Sequence, residues 1–171
     1  MTPPDSFREA FLLAKRICSD WTSRYAFVYA KNDSLLSTDA YRLAEINCPN
    51  IPAELQGKGI VRIDDQGVAI TEEVFPPRYP ECLISEHFID NPNIAEMTTV
   101  EEEASRRLGT DEVVMLHVPG ADIMLNNRYI KEAQDVLGTV SRLGYINDRQ
   151  PVIFYSDLGR ISILPMRKSG D

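Results

Sequence analysis

Two short stretches of this chain share one grammar. Ile60-Val61-Arg62-Ile63 and Val68-Ala69-Ile70-Thr71 flank Asp64-Asp65-Gln66-Gly67, and Val152 to Tyr155 and Arg160 to Leu164 flank Ser156-Asp157-Leu158-Gly159. β-Branched and aromatic side chains favour the pleated backbone, and an Asp-x-Gly step supplies the tight reversal between two strands. Each stretch therefore predicts a hairpin, and hairpins build antiparallel sheet. Aligned on their Asp-x-Gly turns, the two hairpins do not share a register of apolar positions: Val68 and Ile70 fall out of step with Ile161 and Ile163. Common turn chemistry accounts for the likeness better than an internal repeat does.

Helical signals come in separate segments. Ser6 and Glu9 form an S-x-x-E capping box behind Pro3 and Pro4. Phe7, Phe11, Ala14, Cys18 and Trp21 then recur on one face, widened by Ala10, Leu13 and Ile17, which predicts a helix from about Ser6 to Trp21. Thr38 or Asp39 is placed to cap a short helix through Ile46, which must end before Cys48-Pro49 because a residue preceding proline is pushed out of the α region. Thr99 with Glu102 makes a second box, with Glu101, Glu102 and Glu103 in its first turn, i,i+4 pairs from Glu102 and Glu103 to Arg106 and Arg107, and Gly109 at the end. Asn126 or Asn127 caps a further helix carrying Ile130, Ala133, Leu137 and Val140, with Gly144 closing it. Arg24 to Ala30 reads as a strand, with Tyr25, Phe27 and Tyr29 on one face. Val113 to Val118 reads as a short strand buried on both faces.

Together these segments imply an α+β fold: an amphipathic N-terminal helix and two further helices packed on a mostly antiparallel sheet built from hairpins. Residues 1–171 are expected to form a single domain, long enough to bury a core without staples. Pro76, Pro77, Pro80 and Pro92 make residues 75–93 a connecting or covering segment, and the place for any subdomain boundary. Cys18, Cys48 and Cys82 are odd in number and far apart, so neither a disulfide framework nor a metal site is expected. The N-terminus lacks the basic and apolar regions of a signal peptide, and no apolar run approaches the length that spans a bilayer, so a cytoplasmic protein is expected.

Charge is segregated. Between Glu72 and Glu112 stand eleven acids against three bases, which accounts for the net charge of −8. The Glu101–Glu103 run has a local explanation in its helix-capping signal, but Glu72, Glu73, Glu81, Glu86, Asp90 and Glu96 do not. A local negative field attracts cationic surfaces, so these six residues are the candidate contacts for a basic partner protein. Immunity proteins, antitoxins, secretion chaperones and anti-defence proteins work through such surfaces. Phosphate backbones need clustered cations, so this balance disfavours a nucleic-acid role.

No phosphate-binding glycine loop and no zinc-protease motif occurs, and no cofactor is expected. The sharpest enzymatic constellation is His117 with Asp122, at the end of the Val113–Val118 strand, as base and orienting carboxylate of a small enzyme. Cys82, His87 and Asp90 are a second, looser grouping, since cysteine chemistry needs a histidine within hydrogen-bond reach. The hairpin from Gly59 to Thr71, fed by a helix, resembles the wing of a winged-helix domain. That resemblance implies a transcriptional regulator. The leading expectation is a non-enzymatic module whose acidic stretch 72–112 docks a basic partner.

Overall fold

The computed structural model describes residues 6–18, 25–71 and 81–167. Three α-helices are found among them: α1 (Phe7–Lys15), α2 (Glu81–His87) and α3 (Asn127–Leu137). The rest is mostly strand. β1 (Val28–Lys31), β2 (Ser34–Thr38), β3 (Arg42–Asn47), β4 (Gly59–Asp64), β5 (Gly67–Thr71), β6 (Asn93–Glu96), β10 (Arg142–Tyr145), β11 (Val152–Ser156) and β12 (Gly159–Ile163) form one sheet in the order β5-β4-β1-β2-β3-β12-β11-β10-β6. β7 (Glu101–Leu108), β8 (Asp111–Val118) and β9 (Ala121–Asn126) form a second, three-stranded sheet. Every pairing among the described residues is antiparallel. The expected α+β fold of helices packed on one sheet is thus corrected to a sheet-dominated architecture of two antiparallel layers.

Two expected helices are strands, for physical reasons that can be named. Asp39 does use its carboxylate on the backbone, but Oδ1 accepts from Tyr41 N at 3.0 Å and Arg42 N at 2.8 Å while Ala40 sits at φ 77°. That is an Asx-type turn, the competitor of an N-cap, and it joins β2 to β3 instead of starting a helix. Thr99 likewise does not cap; its hydroxyl donates to Glu96 O at 2.8 Å. Gly109, taken as a helix end, lies at φ 65° in the two-residue connection between Leu108 and its partner Asp111. The glutamate–arginine spacing gave way to the pairing that β8 requires.

The hairpins stand where expected. Asp64 pairs with Gly67, and Ser156 with Gly159. The first hairpin is the outer pair of the large sheet, so it continues a β layer and does not flank a helical bundle as a wing would. Ser6 Oγ accepts from Glu9 N at 3.2 Å and caps α1, which buries Ala10, Phe11 and Ala14; Trp21 lies outside the described residues. Asn126 caps α3, but Gly138, at φ 69°, ends it. Gly144 is a strand residue, and a Cβ there would meet the Tyr155 ring at 3.0 Å. Along the Val113–Val118 strand, Val114, Leu116 and Val118 join the large core, while on the other face Val113 is buried and Met115 and His117 are half-buried.

Alternation along the central strands separates two cores. Ala44, Ile46, Phe154, Ile161 and Ile163 face a large cluster shared with α1, α3 and the second sheet, including Phe11, Ala133, Leu116 and Leu125. Their neighbours Leu43 and Ile153 point the other way, into a smaller cluster with Leu83 and Phe88 from α2 and its C-terminal flank. The order β1-β2-β3-β12-β11-β10 is palindromic, so α1 with its three-strand meander mirrors α3 with its own about the β3–β12 line. This duplication relates segments other than the two hairpins compared in sequence.

One charged group ties the β1–β3 meander to α3. Arg42 is 4% exposed. Its guanidinium reaches Asp39 Oδ2 from Nε at 3.0 Å and Nη2 at 2.8 Å, bonds Glu132 on α3, and lies 4.3 Å from the centre of the Tyr129 ring. Removing one member of a buried ion pair leaves the others uncompensated, which costs about 3–5 kcal/mol. Arg42→Ala is expected to lower unfolding free energy by that amount in a denaturant titration. A loss under about 1 kcal/mol, the size of an ordinary substitution, would show that the node does not hold α3 in place.

Candidate functional site

A groove and a smaller hollow are built around the chain's last described residues. Beyond β12, Leu164 N donates to Tyr41 O at 2.9 Å and Met166 N donates to Met124 O at 2.8 Å, so residues 164–167 form a strap from the β2–β3 turn to β9. Between this strap and α3 lies a groove of about 950 Å³. Its apolar surfaces come from Tyr41, Tyr129, Leu164, Pro165 and Met166. A smaller hollow of about 170 Å³ shares Pro165, Met166 and Arg167 and is bordered by Met124, Asp122 and Asp148. Tyr41 is 59% exposed and stacks on Tyr129 with ring centres 6.4 Å apart. The Asx turn holds Tyr41 outward while Arg42 braces Tyr129 from below. Sequence reasoning missed this site: Tyr41 was assigned to a helix. Leu164-Pro165-Met166, an apolar triplet after the last strand, was the available signal.

The sequence-chosen acids divide. Glu81 and Glu86 lie on α2 and Asp90 follows it, all exposed. Glu96 on β6 is exposed and points away from the large core, which its neighbour Ala95 faces. These four therefore occupy the α2 side of the nine-stranded sheet. Glu81 has Lys31 Nζ at 3.6 Å, and Glu96 pairs in register with Arg142. Glu72 and Glu73 lie outside the described residues. Glu101, Glu102, Glu103, Asp111 and Glu112 belong to the second sheet, across the molecule's main layer from α2.

His117 and Asp122 do meet. On the outer face of the second sheet, His117 Nδ1 lies 2.7 Å from Asp122 Oδ1, and Nε2 lies 3.0 Å from Glu103 Oε2. With a carboxylate at each nitrogen, the ring can donate from both positions when it is protonated. The hydrogen bond to Asp122, then that to Glu103, raises its pKa above the ordinary 6.5. His87 is the opposite case. It ends α2 and is 2% exposed, with Nδ1 3.2 Å from Ser162 Oγ, and burial lowers its pKa to about 4. Its ring is engaged with Ser162 and Asp90 is exposed, while the Cys82 side chain of that grouping lies outside the described part of the structure. Among the described residues no group of three or more His, Cys, Asp or Glu is arranged to hold a metal, and no helix is long and apolar enough to cross a membrane.

The two histidines give stability opposite pH slopes. The folded chain holds His87 neutral down to about pH 4 while the unfolded chain protonates near 6.5. Stability should therefore fall by about 3 kcal/mol as pH drops through that window, and His87→Gln should flatten the slope in denaturant titrations at pH 7 and 4.5. His117 has a raised folded pKa, so its contribution is complete below 6.5 and lost as pH climbs through the folded value. An NMR titration should place its midpoint above 6.5, with Asp122→Asn lowering it. A wild-type midpoint at 6.5 or below would refute the two-carboxylate clamp.

No family model and no curated protein matches this sequence. Solved structures do. The Helicobacter pylori β clamp, bound to a DNA ligase peptide, is similar with a TM-score of 0.56 at 10% identity, over 93% of this chain and 62% of that one. The Caulobacter crescentus β sliding clamp gives 0.60 at 11% identity, over 94% and 63%. The Borrelia burgdorferi DNA polymerase III subunit beta, in complex with a natural product, gives 0.59 at 11% identity, over 93% and 61%. At such identities the likeness is one of fold. The chain follows the β sliding clamp fold over nearly its whole length while spanning 61–63% of these clamps.

Proposed function

We propose that this chain is a non-enzymatic protein-binding module that receives an extended peptide of a partner protein in the groove between α3 and the 164–167 strap. The observation that carries the reading is an exposed aromatic, Tyr41, stacked on a braced one, Tyr129, beside apolar Leu164, Pro165 and Met166. Aromatic anchor sites of this kind give most of the energy of peptide recognition, and a rigid floor lowers the entropic cost of binding. The clamp fold supports it, since one clamp of this shape is bound to a DNA ligase peptide.

A second docking surface is supported by a separate observation: Glu81, Glu86, Asp90 and Glu96 share the α2 side of the large sheet. With Glu72 and Glu73 preceding them in sequence, they would draw a basic partner by long-range attraction.

Two measurements test these readings. Peptides selected from a random displayed library against the folded chain should perturb the NMR signals of Tyr41, Tyr129 and Met166, and Tyr129→Ala should weaken them about tenfold or more. A selection that enriches nothing, or ligands that map elsewhere, would reject the groove. For the acidic side, the quadruple variant E81Q/E86Q/D90N/E96Q should lose a basic partner that the wild type retains from source-cell extract at low salt. Equal retention by both proteins would reject that surface.

A further inference from the structure

We infer that the groove selects acidic peptides: its occupant is an extended segment with Asp or Glu side chains flanking one aromatic or large aliphatic anchor. The inference rests on the docking reading above and names the partner chemistry that it leaves open.

The chain carries a net charge of −8, so a cationic lining is not the default for any of its surfaces. Yet Arg107, Arg128, Lys131 and Arg167 all line this groove. Three acids line it as well, Asp111, Glu112 and Glu132, so cations outnumber acids by four to three. Glu132 is held by Arg42 from inside the protein and by Arg128 at 2.9 Å from the rim. Glu112 accepts from Asn127 Nδ2 at 3.2 Å, keeps its charge, and stands opposite Arg107 in the β7–β8 register. Arg107, Lys131 and Arg167 make no ion pair among the described residues, and each is exposed. They come from three separate elements: β7, α3 and the strap. They surround the Tyr41–Tyr129 stack and the Leu164–Met166 floor.

A peptide lying along this groove would place its anchor against the tyrosines and its flanking side chains near the exposed cations Lys131 and Arg167. Carboxylates fit that field, and lysines would be repelled by it. Attraction at a solvent-open rim acts over about 8–10 Å at physiological salt, so charge would set selectivity and encounter while the anchor sets residence. The two contributions are separable by salt: the first is screened, and the second is not.

A labelled panel tests this on the full chain by fluorescence anisotropy: one peptide with Asp and Glu around a central Phe, the same peptide with Lys for each acid, and the acidic peptide with Ala for Phe. Wild type should bind the acidic Phe peptide at least about tenfold more tightly than the lysine version at low salt, with the gap narrowing at high salt. The variant K131E/R167E alters two exposed side chains and should reverse that order, gaining the lysine peptide as it loses the acidic one. Such a gain could not come from misfolding. Tyr41→Ala should weaken the acidic Phe peptide about tenfold with little change in salt dependence.

If both Phe peptides bind equally well, the selectivity is overturned and the docking groove survives. If neither binds and library selection also fails, both readings fall. An oligodeoxynucleotide of matched charge that binds more tightly and displaces the acidic peptide would overturn the inference in favour of nucleic acid.

Discussion

The two halves of the large sheet meet where β3 and β12 come too close for any side chain. Gly159 has φ +146°, and a Cβ there would lie 2.1 Å from Glu45 O and 3.0 Å from Ile46 Cα. Only glycine adopts that conformation without strain and leaves room for the opposing backbone. The contact fixes the register of the whole junction. Asn47 N donates to Leu158 O at 2.9 Å, and Arg160 Nε reaches Glu45 Oε2 at 2.6 Å. The same strand then positions the layer above it: Arg160 lies 3.8 Å over the Phe88 ring, and Ser162 meets His87. The α2 layer therefore rests on the line where the two meanders join, and α1 and α3 pack across that line from the other side.

What the amino acids disclose on their own follows the reach of each signal. Ser6, Asn126 and the two Asp-x-Gly turns act within four residues, and each produced the structure it predicts. Asp39 and Thr99 carry the same capping chemistry, but a cap and an Asx turn use one side chain in similar ways. The choice between them fell to pairing partners distant in sequence. β3 is flanked by β2 and by β12, more than a hundred residues later, and no local pattern announces the second neighbour. His117 and Asp122 are legible as a pair because a short hairpin brings them opposite each other, yet Glu103, which meets the other nitrogen, comes from a strand whose sequence carries a helix-capping pattern.

The groove shows why its residues were invisible. Tyr41 and Arg42 are neighbours with opposite fates, one exposed and one nearly sealed. Their alternation follows from entry into β3 after a turn that sequence alone did not predict. The buried guanidinium then links the turn to α3 through Glu132 and Tyr129, so the floor of the groove is braced by an interaction whose members stand ninety residues apart. A buried ion pair of this kind is a poor source of net stability compared with an apolar core. Its consequence here is geometric: it sets where Tyr129 lies relative to the strap.

The acidic stretch illustrates how contiguous charge can be divided by topology. After α2 the chain enters β6 at the edge of the large sheet, passes through a short turn at Met97–Thr99, and starts β7 in the second sheet. That single crossing leaves Glu81, Glu86, Asp90 and Glu96 on one side and the β7–β8 acids on the other. Fields from the two sets are separated by the thickness of the main layer, a distance comparable to the Debye length at physiological salt. Each set therefore acts locally. The cationic lining from Arg107, Lys131 and Arg167 can persist near Asp111 and Glu112 because the chain's net charge says little about any one face.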